Sequence, residues 1–137
     1  MYKQAIVAAL HKAIPTLSAV YLFGSQAKGS AGADSDVDLA ILADHPPDTL
    51  GLWELSGKLA QINGCDVDLV DLRAASTVMQ YQIITTGPRL WSRDSGPALY
   101  ESFILSAKTA LDEARAGLLE DIRATGRVLG PAGRDSN

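Results

Sequence analysis

The chain has little of what would staple, anchor or broadly charge a protein. Cys65 is the only cysteine in 137 residues, so neither an internal disulfide nor a cysteine zinc cluster can form. Its expected role is a small buried hydrophobe at the start of a strand. The two histidines, His11 and His45, stand apart in sequence and have no partner at metal-ligand spacing. His11 is expected on a polar helix face and His45 in a loop before Pro46-Pro47. Positive charge is not in excess: 12 Lys and Arg face 16 Asp and Glu, for a net charge of −4. That balance argues against nucleic-acid binding through a broad basic face, although a local basic patch stays open. No apolar run approaches membrane-spanning length, and the opening MYKQAIVAAL lacks a signal-peptide pattern, so a cytoplasmic protein is expected.

What is present suits one globular domain. An apolar share of 47% with 20% charged residues is ordinary for such a fold, and the length supports a single core. The domain is expected over residues 1–129, with 130–137 as a frayed tail behind Gly130-Pro131. Ile6, Val7, Leu10 and Ile14 share one side of a helix over 2–14 that Pro15 stops. Short apolar runs at 20–23 and 37–42 read as buried strands, and Leu52, Leu55, Leu59 and Ile62 mark an amphipathic helix closed by Asn63-Gly64. A third strand is expected over 66–72 and a helix over 74–86 with Val78, Tyr81 and Ile84 inward. An edge strand at 89–91 then precedes a long helix from Pro97, striped by Leu99, Phe103, Ala107, Leu111, Ala114, Leu118 and Ile122. This order predicts an α/β (α+β) domain with a small mixed sheet flanked by helices.

Chemistry concentrates in one stretch. Residues 24–38 read GSQAKGSAGADSDVD, a Gly-Ser pair and ten residues before Asp-x-Asp, set between the first two strands. A loop rich in Gly, Ser and Ala can bring backbone N–H groups close to an anion, and a short helical turn is expected just after Gly24-Ser25. Alternation puts Asp36 and Asp38 on one side at the start of the second strand. Two close carboxylates repel unless a cation lies between them, and Mg²⁺ normally shares its shell with substrate phosphates. The arrangement therefore points to nucleoside triphosphate chemistry. The bland alternative is a Gly-rich turn followed by two solvated acids.

The third strand, DVDLVDL, supplies a further acid. Alternation places Asp66 and Asp68 on one face and Asp71 on the other. The choice falls on Asp68, mid-strand between apolar neighbours, where an acid without a cation would be costly. Asp66, at the strand mouth, is more easily solvated and remains the alternative. Asp71 is expected to cap the following helix or pair with Arg73. Such an acid can accept the proton of an attacking hydroxyl or help hold metal. Attack at the α-phosphorus would transfer a nucleoside monophosphate and release pyrophosphate.

These residues resemble the DNA polymerase β-type nucleotidyltransferase superfamily, in Gly24-Ser25, Asp36-Val37-Asp38 and the later acid Asp68. The phrases YLFGSQAKGSAGADSDVDLAIL and DVDLVDLRAAS are similar to the minimal nucleotidyltransferase (MNT) antitoxins, over nearly the whole chain. The resemblance implies a Mg²⁺-dependent adenylyltransferase and antitoxin of a type VII-like pair. Such a protein uses ATP to place AMP on a tyrosine hydroxyl of a HEPN-domain RNase toxin, with which it forms a hetero-oligomer. By that resemblance Gly24 and Ser25 hold the triphosphate, Asp36 and Asp38 the metal, and Asp68 completes the acid triad. Lys28 stands where relatives carry arginine and meets phosphate without the bidentate fork. Ser35 is a phosphate contact or a plain turn residue, and Arg73 a phosphate or toxin contact or a surface ion pair. Two other readings stay in view. One is transfer to a small molecule or RNA end, for which the segment after Trp91 offers only one long helix. The other is neutralisation by binding alone, with the stripe from Leu99 to Ile122 as the docking face.

Overall fold

The computed structural model describes residues 2–24 and 36–125. Ser25, Lys28 and Ser35, the turn expected after Gly24 and the tail at 130–137 all lie outside the described residues. Helix α1 (Lys3–Ala13) buries Ile6 and Leu10 and stops at Ile14, before Pro15. Strand β1 (Leu17–Phe23) begins three residues earlier than its apolar core suggests, because Leu17, Ser18 and Ala19 are also buried. Strand β2 (Val37–Ala43) and strand β3 (Val67–Asp71) follow, separated by helix α2 (Thr49–Asn63). Asp48 caps α2 by accepting the Gly51 N–H at 2.8 Å, and Gly64 ends it at φ 83°, a conformation glycine takes without strain.

The sheet runs β3-β2-β1-β4, with β4 (Arg89–Ser92) antiparallel to β1. Strand β2 is antiparallel to β1 and parallel to β3. Two apolar layers result. Under α1 and α2 lie Leu22, Val37, Leu39, Ile41 and Val67. On the opposite face Ala19, Tyr21, Ala40 and Leu42 pack beneath helices α3 (Thr77–Thr86), which contributes Ile83, and α4 (Gly96–Thr125), which contributes Ile104. A register shift between Leu17 and Ala19 breaks strict alternation, so those two residues serve opposite layers.

Three expectations need correction. The helix expected over 74–86 is a 3₁₀ turn at Leu72–Ala74 followed by α3. Ser76 needs extended backbone to cap α3, its hydroxyl accepting the Met79 N–H at 3.2 Å, so the helix cannot begin earlier. Within α3 the buried positions are Gln80 and Ile83, whereas Val78, Tyr81 and Ile84 are half-buried. Gln80 is inside because its amide donates to the carbonyls of Leu72 at 2.8 Å and Ala75 at 3.2 Å, satisfying the turn that precedes it. On α4, Leu99 and Phe103 face outward, and Ile104 is the position that is fully buried. Cys65 is half-buried and accepts from the Asn63 amide at 3.0 Å. His11 is exposed with its ring 5.1 Å from that of Trp91, and His45 lies in a loop held by Thr16.

One polar cluster ties α4 to the sheet. The Tyr21 hydroxyl, almost wholly buried on β1, donates to Glu101 Oε2 at 2.6 Å, and Arg89 on β4 donates to the same oxygen at 3.0 Å. Burial, then the Glu101 carboxylate, pushes the Tyr21 hydroxyl above its ordinary pKa, so it stays a neutral donor. Tyr21→Phe should cost about 1.5–3 kcal/mol of stability in urea unfolding, a hydrogen bond to a charged group being worth about that. An unchanged unfolding midpoint would show that Arg89 alone satisfies Glu101.

Candidate active site

The site begins with the ladder between β2 and β3. The Val37 N–H donates to the Asp66 carbonyl at 2.9 Å, and the parallel register then sets Asp38 opposite Asp68. On β2 the alternation sends Val37, Leu39 and Ile41 into the layer under α1 and α2, and turns Asp38 the other way with Ala40 and Leu42. Two carboxylates therefore meet at one end of adjacent strands. Asp38 is partly buried and lies beside Asp68 across the ladder. Its carboxyl is pushed up from the ordinary pKa by burial first, then by the charge and hydrogen bond of Asp68, then by the charge of Asp36. Asp36 sits on the exposed extended residue just before β2.

Gly24 closes the group from the β1 side. It adopts φ +74°, and a Cβ built there would strike the Asp38 carboxylate. Glycine is required twice over, once for the backbone and once for the approach. Ser25, Lys28 and Ser35 fall outside the described residues, so of the expected nucleotide contacts only Gly24 has a described place.

The remaining acids separate from the pair. Asp66 precedes β3 and contributes its backbone carbonyl to the ladder. Asp71 lies at the opposite end, opposite Ile41, where its side chain accepts the Arg73 N–H at 3.1 Å. Arg73, beyond it, stacks its guanidinium 4.7 Å from the centre of the Tyr100 ring. Among the described residues it forms no ion pair, and it follows the end of β3 away from Asp68.

Two hollows flank the acid pair. A cleft of about 440 Å³ lies between the end of β1 and α3, lined by Phe23, Gly24, Ser76, Met79, Gln82 and Thr86. A groove of about 730 Å³ follows the outer edge of β3, between Asp66–Leu69 and one side of α2 that carries Leu52, Trp53 and Lys58. Sequence reasoning missed both walls. The available signal was Trp53, a large aromatic off the apolar stripe of α2, and it is 74% exposed.

The donor chemistry fits a hard divalent cation. All three acids offer oxygen, and a cation would offset the repulsion that Asp68 and Asp36 exert on the Asp38 carboxylate. Among the described residues no three His, Cys, Asp or Glu side chains already form a metal cage. Mg²⁺ takes one or two carboxylates and fills its shell with water and substrate phosphate.

A glycine turned against a carboxylate pair on a mixed sheet defines a nucleotidyltransferase centre, and the chain belongs to the polymerase beta nucleotidyltransferase family, whose profile matches residues 4–96. It is similar to the protein adenylyltransferase MntA of Shewanella oneidensis, at 40% identity over 119 residues, covering 87% of this chain and 86% of that protein. It also superimposes on a toxin–antitoxin crystal structure with AMP-PNP, with a TM-score of 0.79 and 37% identity over 90% of this chain and 99% of that one. A complex of tri-AMPylated Shewanella oneidensis HEPN toxin with MNT antitoxin gives a TM-score of 0.72 and 36% identity, over 88% of this chain and 95% of that one.

The raised pKa of Asp38 has a thermodynamic sign. Its folded form holds a proton more tightly than the unfolded chain does, so this stability is present below the ordinary carboxylate range and lost as pH rises through the folded value. Asp38→Asn should therefore raise the unfolding midpoint at neutral pH, and the gain should vanish below about pH 4, near the ordinary aspartate pKa. A midpoint lowered at pH 7 would mean that favourable partners outweigh the repulsion.

Proposed function

We propose that this chain is an antitoxin that works in the cytoplasm as a Mg²⁺-dependent protein adenylyltransferase. It transfers AMP from ATP to a tyrosine hydroxyl of a HEPN-domain RNase toxin and so neutralises it. The observation that carries this reading is the Asp38–Asp68 contact beside Gly24, an acid pair that needs a cation where a phosphate-binding turn begins. The names of the similar proteins, an adenylyltransferase and an antitoxin bound to an AMPylated toxin, support the acceptor class.

In the mechanism, Gly24 and Ser25 bind the triphosphate, with Lys28 and Ser35 as further contacts. Asp36 and Asp38, with Asp68, hold Mg²⁺, which when bound offsets charge on the transferred and leaving phosphates. Asp68 takes the proton from the tyrosine hydroxyl. The tyrosine oxygen forms a bond to the α-phosphorus as the bond from that phosphorus to the bridging oxygen breaks, and pyrophosphate leaves. Asp36→Asn with Asp38→Asn should abolish tyrosine labelling of the co-purified HEPN partner by α-labelled ATP, as should removal of Mg²⁺ by a chelator. Labelling that survives both treatments would overturn the metal role.

A second reading, neutralisation by occlusion, is favoured by α4. Leu99 and Phe103 are 79% and 62% exposed, and Leu118 and Leu119 continue the apolar surface along the helix. This stripe is a docking face for the toxin, and it is compatible with catalysis. Leu99→Asp with Phe103→Asp should weaken the toxin complex roughly tenfold or more, as loss of anchoring side chains does. Unchanged affinity in titration calorimetry would move the interface elsewhere.

A further inference from the structure

We propose that the groove between α2 and the outer edge of β3 receives the acceptor segment of the partner protein and delivers its hydroxyl to Asp68 from the side opposite the nucleotide. This rests on the adenylyltransferase reading and specifies where its second substrate enters. Strand β3 ends the sheet order β3-β2-β1-β4, so one side of its backbone has no strand beside it among the described residues. In a parallel ladder that begins with Val37 N–H to the Asp66 carbonyl, residues 66, 68 and 70 of β3 bond inward to β2. The N–H and C=O groups of Val67 and Leu69 then open outward, and both residues line the groove. An extended segment can add to such an edge through main-chain hydrogen bonds while neighbouring pockets read its side chains.

The wall and floor say which segment fits. Trp53 stands 74% exposed on the α2 side, an anchor for an apolar or aromatic residue. Glu54, Asp66 and Asp68 against Lys58 give the lining a net charge of −2, which favours basic residues near the acceptor hydroxyl. The groove, about 730 Å³, holds several side chains and has Asp66 and Asp68 in its lining at the strand edge, whereas the cleft at Gly24 is lined from β1 and α3. Nucleotide and acceptor thus approach the carboxylates from different hollows, the arrangement that in-line attack on a phosphorus requires.

Gly57 offers a clean test. It lines the groove on α2, and a Cβ added there meets nothing within 4 Å. Gly57→Arg fills the groove and places a like charge against a basic segment, while improving helix propensity. The companion variant Trp53→Ala removes the anchor from an exposed position. With the co-purified HEPN protein as acceptor and labelled ATP, both variants should raise the KM for the acceptor roughly tenfold or more, on the scale of an interface anchor. The KM for ATP and the thermal midpoint should stay at wild-type values. Wild-type transfer with unchanged acceptor KM in both variants would overturn the groove and leave the adenylyltransferase reading standing. A dimer of this chain that Gly57→Arg dissociates would also overturn it, by giving the groove to a second copy. If the wild-type chain transfers nothing, the broader reading falls and the groove assignment with it.

Discussion

Everything at the site depends on the register between two parallel strands. Asp38 lies opposite Asp68 because Val37 lies opposite Val67 and Leu39 opposite Leu69. Those apolar partners point into the layer under α1 and α2, so the same pairing that fills the core brings two like charges together. A slip of one residue would expose Val67 and turn Asp68 toward the core. Burial of the apolar side chains is thus what holds the repelling carboxylates in place, since the carboxylates would otherwise separate. The contact between them is a local cost borne by the surrounding sheet, which is how functional sites commonly store strain.

The environment around that contact adds to the cost. Gly24 leaves no room for Asp38 to retreat toward β1, and partial burial denies it full hydration. A divalent cation placed there would offset the repulsion with two charges and bring phosphate along. The same face of the sheet carries a rigid anchor: Tyr21, Glu101 and Arg89 pin α4 across β1 and β4.

Much of this was legible from residue order, because strands write their faces as alternation. Asp38 with Ala40 and Leu42, and Asp68 opposite it, follow from period two once β2 and β3 are neighbours. The four strands and their helices likewise came from short apolar runs bounded by turn residues. Helix phase was less legible. On α3 a glutamine displaced the expected inward residues, because three carbonyls of the preceding turn needed a donor, a need visible only when the turn is built. On α4 the stripe from Leu99 to Ile122 has helical spacing, yet spacing cannot say whether the face meets its own domain or another. The groove at β3 was invisible for a different reason: among the described residues no strand follows β3 at that edge, and pairing order is not written in a single strand's sequence.

The free chain is thus unsatisfied in two unrelated ways. Its acid pair sets like charges side by side, and its α4 helix, about 45 Å long at the usual rise, exposes leucine and phenylalanine side chains beyond its contacts with α3 and β1. The first deficit is electrostatic and is relieved by metal and nucleotide. The second is apolar and is relieved by covering protein surface. Because the two sit on different elements, binding at one leaves the other open, and each should add its own increment to the stability of the fold. The two surfaces can therefore be filled in either order.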